Sequence, residues 1–137
     1  MDIKKSVLVK ARMARQAARV LSTTPSRQRD KFVSKAADAV VAVKEEILKE
    51  NQKDVQYAQK HGLAKAFIDR LTLNEKRIEG MAASLREIAG MPDPVNRITA
   101  GWQRPNGLLI EKVTIPIGVI GVIYESRPDV TTDAAAP

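Results

Sequence analysis

Through the first ninety positions apolar residues recur at spacings of three and four; beyond Pro94 they run together instead. Val7, Ala11, Ala14, Ala18 and Leu21 make one stripe of an Ala-rich segment, which predicts a helix over residues 3–21. Ser22-Thr23-Thr24-Pro25 interrupts it; Thr24 suits a helix cap and Pro25 a first helical position. Phe32, Val33, Ala36, Ala37, Val40, Val41, Ile47 and Leu48 then share a broad face, predicting a second helix that fades near Asn51. A third helical piece follows over 52–61, with Gly62 as its stop. Residues 63–71 read as a short helical turn, and Thr72-Leu73-Asn74-Glu75 as a capping box. That box opens a helix carrying Ile78, Met81, Ala82, Leu85, Ile88 and Ala89, ended by Gly90 and Pro92-Asp93-Pro94.

Past Pro94 the pattern changes. Residues 97–104 and 108–115 are β-prone and flank Pro105-Asn106-Gly107, a strong hairpin signal. After Pro116, Gly118-Val119-Ile120-Gly121-Val122-Ile123-Tyr124 is continuously apolar and rich in β-branched residues, which predicts a strand buried on both faces. A polar loop, Glu125-Ser126-Arg127-Pro128-Asp129, precedes a helix start at 130–136, with Thr132 or Asp133 as its cap. A strand buried on both faces needs parallel neighbours reached by long crossovers, and only one such strand is present. The expected fold class is therefore α/β: a helical layer, a hairpin, and a core domain cut off shortly after its first strand.

Charge and composition narrow the function. The chain has 137 residues, net charge +7 and no cysteine. Disulfides, thiolate-bound metal and a cysteine nucleophile are excluded within these residues. The charge excess lies in residues 1–35, where ten Lys/Arg face two Asp/Glu. Phe32 is the only aromatic there and lies on the apolar face, so a solvated helix face is expected rather than a nucleic-acid site. No apolar run is long enough to span a membrane, and Lys10, Arg12, Arg15 and Arg19 break up any signal-peptide core. Cytoplasm is the expected compartment.

The loop Glu125-Ser126-Arg127-Pro128-Asp129 concentrates the candidate chemistry, because ligands of open α/β sheets bind beyond the carboxyl ends of the strands. Arg127 can form a bidentate bond to a carboxylate or phosphate. Gly118-x-x-Gly121 is not a dinucleotide fingerprint and no phosphate-binding P-loop occurs. His61 has no second histidine and no cysteine to share a metal; a helix-end role suits it better. Trp102 suits either a strand anchor or a subunit interface.

Four motifs carry a resemblance. They are Asp69-Arg70-Leu71-Thr72-Leu73 with Arg77-Ile78-Glu79-Gly80-Met81; Pro92-Asp93-Pro94-Val95; Gly101-Trp102-Gln103-Arg104-Pro105-Asn106-Gly107-Leu108; and the run 116–131 through Tyr124-Glu125-Ser126-Arg127-Pro128-Asp129-Val130-Thr131. In this order and spacing the chain resembles the amino-terminal part of the γ-glutamyl phosphate reductases (glutamate-5-semialdehyde dehydrogenases) of the aldehyde dehydrogenase superfamily. The resemblance implies a helical layer over 1–94, an oligomerisation-type hairpin over 95–115, and the start of an atypical Rossmann cofactor domain over 116–137.

It also implies a reductase of proline biosynthesis. In that family a cysteine thiolate attacks γ-glutamyl phosphate, and NADPH reduces the resulting thioester to glutamate 5-semialdehyde. Glu125, Ser126, Arg127, Pro128 and Asp129 match the family's loop near cofactor and substrate, and the hairpin matches its dimer contacts. Many members have Asn at the position of Asp129 and others carry Asp; an ionised Asp cannot donate to an oxyanion, so the resemblance alone does not give Asp129 that role. The resemblance places the nucleophilic cysteine beyond Pro137, so this chain alone is expected to be inactive and to contribute no catalytic residue and no metal site. The competing expectation is a stand-alone helical interaction module derived from such an enzyme.

Overall fold

The computed structural model describes residues 2–136; Pro137, where the resemblance expects an apolar residue, lies outside the described residues. Among the described residues eight elements occur: α1 (Ile3–Leu21), α2 (Ser26–Ala42), α3 (Lys44–Lys60), α4 (Lys65–Leu71), α5 (Glu75–Gly90), β1 (Ile98–Gln103), β2 (Leu109–Val113) and α6 (Val130–Asp133). They fall into two compact units whose sequences interleave rather than follow chain order. One holds residues 1–26 and 92–121, the other 27–91 and 122–137.

In the first unit, α1 begins where the Asp2 carboxylate accepts from the amides of Lys4 (3.0 Å) and Lys5 (3.4 Å), a cap the apolar pattern does not reveal. Thr24 Oγ1 donates to Val20 O at 2.9 Å, closing the far end. No residue of α1 is buried, and Ile3, Val7 and Met13 stay largely exposed. The hairpin forms as predicted, antiparallel, with Trp102 opposite Ile110 and Gln103 opposite Leu109. Its three-residue turn closes through Gly107 N donating to Arg104 O (2.9 Å) and Arg104 N to Leu108 O (2.8 Å). Gly107 has φ +87°, the left-handed position that a type I turn with a glycine bulge demands. The register shifts between Ile98 and Ala100, leaving Thr99 as a bulge whose hydroxyl donates to Lys112 O.

The expected strand at 118–124 is not present as a strand. Among the described residues, positions 115–126 make no backbone hydrogen bond, and the only sheet is β1–β2. A strand exists only through a neighbour's hydrogen bonds, and none is available. The segment is consequently irregular and exposed, Ile117 to 86% and Ile123 completely. The broader architecture, mostly helical with one hairpin, agrees with the expected helical layer.

The second unit contains the packed core. Ala37, Ala82 and Leu85 are buried together, with Val33, Ala36, Val40, Val41 and Ala136 against them. Ile78 is completely buried, as is Ala82, while Phe32, predicted on the apolar face of α2, is exposed. Asp38 on α2 receives Arg86 Nη2 of α5 at 2.9 Å, an exposed pair worth about 1 kcal/mol or less.

Two sequence expectations need correction here. The interruption between the second and third helices falls at Val43, not Asn51. It is shallow, since Val43 N donates to Ala39 O and Ile47 N to Val43 O across it, and Glu45 and Glu46 suit the new amino terminus. Asn51 stays inside α3 because its amide is bonded to another part of the fold. The second correction concerns the capping box: Asn74, not Thr72, caps α5, its Oδ1 accepting from Arg77 N at 2.8 Å. Thr72 closes α4 instead, donating to Ile68 O at 2.7 Å.

Gly62 ends α3 as predicted. It has φ +68°, its amide donates to Gln59 O, and Leu63 N donates to Ala58 O. These are the two bonds of a Schellman motif, and glycine there avoids the left-handed penalty. His61 sits at this terminus, Nδ1 2.8 Å from Tyr57 O and its ring stacked on Tyr57 at 3.9 Å.

Candidate functional site

The second unit contains a cleft of about 450 Å³ between the α4–α5 corner, α5 and the segment entering α6. Each wall has a local cause. Asn51, only 7% exposed, reaches from α3 and fixes the corner: its Nδ2 donates to Leu71 O at 2.8 Å, and its Oδ1 accepts from Leu73 N at 2.7 Å. Arg77, one turn into α5, donates through Nη1 to the carbonyls of Asp69 and Thr72, and through Nη2 to Asp69 Oδ1 at 3.3 Å. These bonds satisfy carbonyls that α4 leaves unpaired at its end.

The opposite wall is the predicted loop. Ser126 is in the left-handed region with φ +58°, which turns the chain sharply before α6. Val130 N then donates to Arg127 O, and Thr132 Oγ1 donates to Asp129 O at 2.7 Å. Helix α6 starts at Val130 after Asp129, so Thr132 and Asp133 lie inside it rather than capping it. The Tyr124 hydroxyl meets Thr131 Oγ1 at 2.8 Å, tying the apolar segment to α6.

Of the five predicted site residues, Arg127, Pro128 and Asp129 line the cleft; Glu125 and Ser126 do not. Asp69, Arg70, Arg77 and Asp133 join them. The sequence signal for three of these was present in the Asp69-Arg70 and Arg77 motif, but its place beside the loop was not. Asp133 is one helical turn after Asp129, a spacing that puts both carboxylates on one side. The cleft thus presents three guanidinium groups and three carboxylates. Arg77 and Asp69 are committed to each other, whereas the side chains of Arg127, Asp129 and Asp133 have no partner among the described residues.

The other sequence candidates lie elsewhere. Trp102 is on the hairpin, about half exposed, and His61 ends α3. Among the described residues no three His, Asp or Glu side chains group closely enough to hold a metal ion. No helix of the described residues is long and apolar enough to cross a membrane. The first unit has its own apolar groove, between Ala11 and Ala18 of α1 and the stretch Ile115–Val119.

No family model matches the chain. Relatives do. It is 50% identical over 135 residues to a gamma-glutamyl phosphate reductase of Brucella suis, and 48% identical over 133 residues to one of Thermodesulfovibrio yellowstonii. These alignments take in 98% and 97% of this chain but 32% of each relative, so the chain spans about a third of their length. The crystal structure of gamma-glutamyl phosphate reductase from Thermotoga maritima superposes with a TM-score of 0.90 at 40% identity, over 94% of this chain and 31% of that one. The Saccharomyces cerevisiae enzyme gives 0.88 at 33% identity, over 92% of this chain and 32% of that one. The resemblance read from the four motifs therefore holds: the chain is homologous, along nearly its whole length, to the amino-terminal third of the gamma-glutamyl phosphate reductases.

Proposed function

We propose that this chain is the amino-terminal part of a reductase converting γ-glutamyl phosphate to glutamate 5-semialdehyde in proline biosynthesis, with NADPH as the hydride donor. The observation that carries this reading is near-complete alignment at about half identity to proteins of that name, joined to a TM-score of 0.90. The exposed run 118–124 supports it as well. Its composition is that of a core strand, and its unpaired backbone is what such a strand shows without neighbours. In the complete reductase it becomes the first strand of the cofactor domain.

The residues present fit a single anionic group better than a dinucleotide. Arg127 is exposed and available, but no glycine lies in 125–129 and α6 has only four residues. Binding of NADPH, which supplies the hydride, is accordingly assigned to residues outside this chain, as is the nucleophilic cysteine. What this chain contributes is position: the loop Glu125-Ser126-Arg127-Pro128-Asp129, of which Arg127, Pro128 and Asp129 line the cleft, is assigned to the neighbourhood of cofactor and substrate, and the Ser126 turn and the Tyr124–Thr131 bond shape it. The hairpin serves subunit contacts, for which exposed Trp102 and Leu109 supply apolar area. The assembled enzyme acts in the cytoplasm, without nucleic-acid or membrane partners.

The test is reconstitution. The chain is co-expressed with the cysteine-containing remaining two-thirds of the Brucella suis relative, and reductase turnover is followed as NADP+-dependent oxidation of glutamate 5-semialdehyde in phosphate. Turnover by the pair and by neither piece alone supports the reading. Turnover by the 137-residue chain alone, or none from a stable co-purified pair, overturns it.

A further inference from the structure

The turn of the hairpin joins Asn106 to Gly107, a pair with chemistry of its own. An asparagine amide carbon is a weak electrophile, and the backbone nitrogen of the next residue can reach it to close a five-membered ring. A side chain on that next residue crowds the approach. Glycine has none, and no atom lies within 4 Å of where a Gly107 Cβ would stand. Asn51, Asn74 and Asn96 precede Gln52, Glu75 and Arg97 instead, and the Asn51 amide is tied at both its oxygen and its nitrogen. Asn106 and Gly107 are exposed, so water is at hand.

The closed turn restrains both reacting atoms. Gly107 N, the attacking atom, donates to Arg104 O at 2.9 Å. Asn106 Oδ1 accepts from Leu108 N at 3.2 Å, which holds the carboxamide in place beyond Gly107. We propose that Asn106 is a site of spontaneous modification, conversion to aspartate and isoaspartate through a cyclic imide, gated by opening of the hairpin turn. The Gly107 nitrogen bonds to Asn106 Cγ and gives up its proton; the Cγ–Nδ2 bond breaks and ammonia leaves. Water then adds to one of the two ring carbonyls and breaks that carbonyl's bond to the Gly107 nitrogen. Nothing is oxidised or reduced. Ring opening at the backbone carbonyl routes the chain through Cγ and adds a methylene to the backbone of the turn. With that extra atom between Arg104 and Leu108, the Gly107–Arg104 and Arg104–Leu108 bonds no longer close together, so the hairpin loses its register. Its effect on assembly rests on the hairpin serving subunit contacts; the chemistry does not.

The 137-residue chain and a synthetic peptide of residues 101–110 are incubated side by side in mildly alkaline buffer. Mass analysis of the tryptic fragment 98–112, released ammonia and labelling by an isoaspartyl methyltransferase follow the conversion. Asn106 converts faster than Asn51, Asn74 or Asn96. It converts about tenfold more slowly in the chain than in the peptide, as the net strength of one or two turn hydrogen bonds implies. That slowing matches the hydrogen-exchange protection of the Gly107 amide in the same buffer. Ile110→Gly removes the cross-strand partner of Trp102 without touching the turn, and raises the rate about fivefold towards that of the peptide. Should that variant unfold, a urea series on the parent chain opens the turn by degrees, and the rate climbs as Gly107 protection falls. The purified isoaspartate form has lost that protection, and the aspartate form keeps it. Conversion as fast in the chain as in the peptide while Gly107 is protected, a rate unmoved by opening, or equal conversion at Asn51, Asn74 or Asn96 overturns the inference.

Discussion

Replacing Asn51 by alanine tests how the cleft's corner is held. Asn51 is 7% exposed and makes two hydrogen bonds of 2.8 and 2.7 Å, to Leu71 O and from Leu73 N, on either side of Thr72. Alanine removes both and leaves a half-buried carbonyl and amide without partners, at a cost of about 2–4 kcal/mol. Its better helix propensity inside α3 returns about 0.5 kcal/mol. The net expectation is a loss of about 1.5–3.5 kcal/mol. For a chain of this size that lowers the melting temperature by roughly 5–15 °C. Asn51→Asp distinguishes the two bonds: it keeps an acceptor for Leu73 N but sets a carboxylate against Leu71 O. It is therefore at least as damaging as alanine at neutral pH, and protonation in acid restores a donor and part of the loss. Urea unfolding followed by circular dichroism measures the energies, and hydrogen exchange at Leu73 reports the corner directly. An Asn51→Ala protein within about 0.5 kcal/mol of the parent, or a Leu73 amide exchanging no faster, refutes the reasoning.

Ile78→Ala empties the largest completely buried side chain and should cost about 2–5 kcal/mol in the same urea assay, depending on how far α5 can collapse. Gly62→Ala meets no atom within 4 Å of its new Cβ yet must adopt φ +68°, so a loss of about 1–2 kcal/mol is expected from backbone strain alone. Ile123→Lys places a charge in the exposed run: light scattering should show less self-association, with stability changed by less than about 0.5 kcal/mol.

Local rules carried the helices and the hairpin. The Gly62 stop, the α5 stripe and the Pro105-Asn106-Gly107 turn each depend on a few neighbouring residues, and all three occur where the pattern puts them. What failed depended on distant partners. Asn51 reads as a helix breaker by propensity, but it sits within α3 because Leu71 and Leu73, twenty residues on, bind its amide. Thr72 resembles an N-cap, but Ile68 O claims its hydroxyl. Residues 118–124 have the composition of a buried strand but no neighbour to bond with, and Gly118 at φ +98° departs from strand geometry. The cleft was half legible: Arg127, Pro128 and Asp129 stood out as a polar loop, whereas Asp69, Arg70 and Arg77 belong to helices some fifty residues earlier and meet that loop only through packing.

The central proposal is that 118–124 becomes a core strand of the complete reductase once its neighbours are in place. Hydrogen exchange on the chain alone, and on the chain co-purified with the remaining two-thirds of the Brucella suis relative, tests it most directly. The account predicts that the amides of Val119–Ile123 exchange at nearly unprotected rates in the chain alone and become strongly protected in the pair. Equal protection in both states, or none in a pair that turns over substrate, contradicts it.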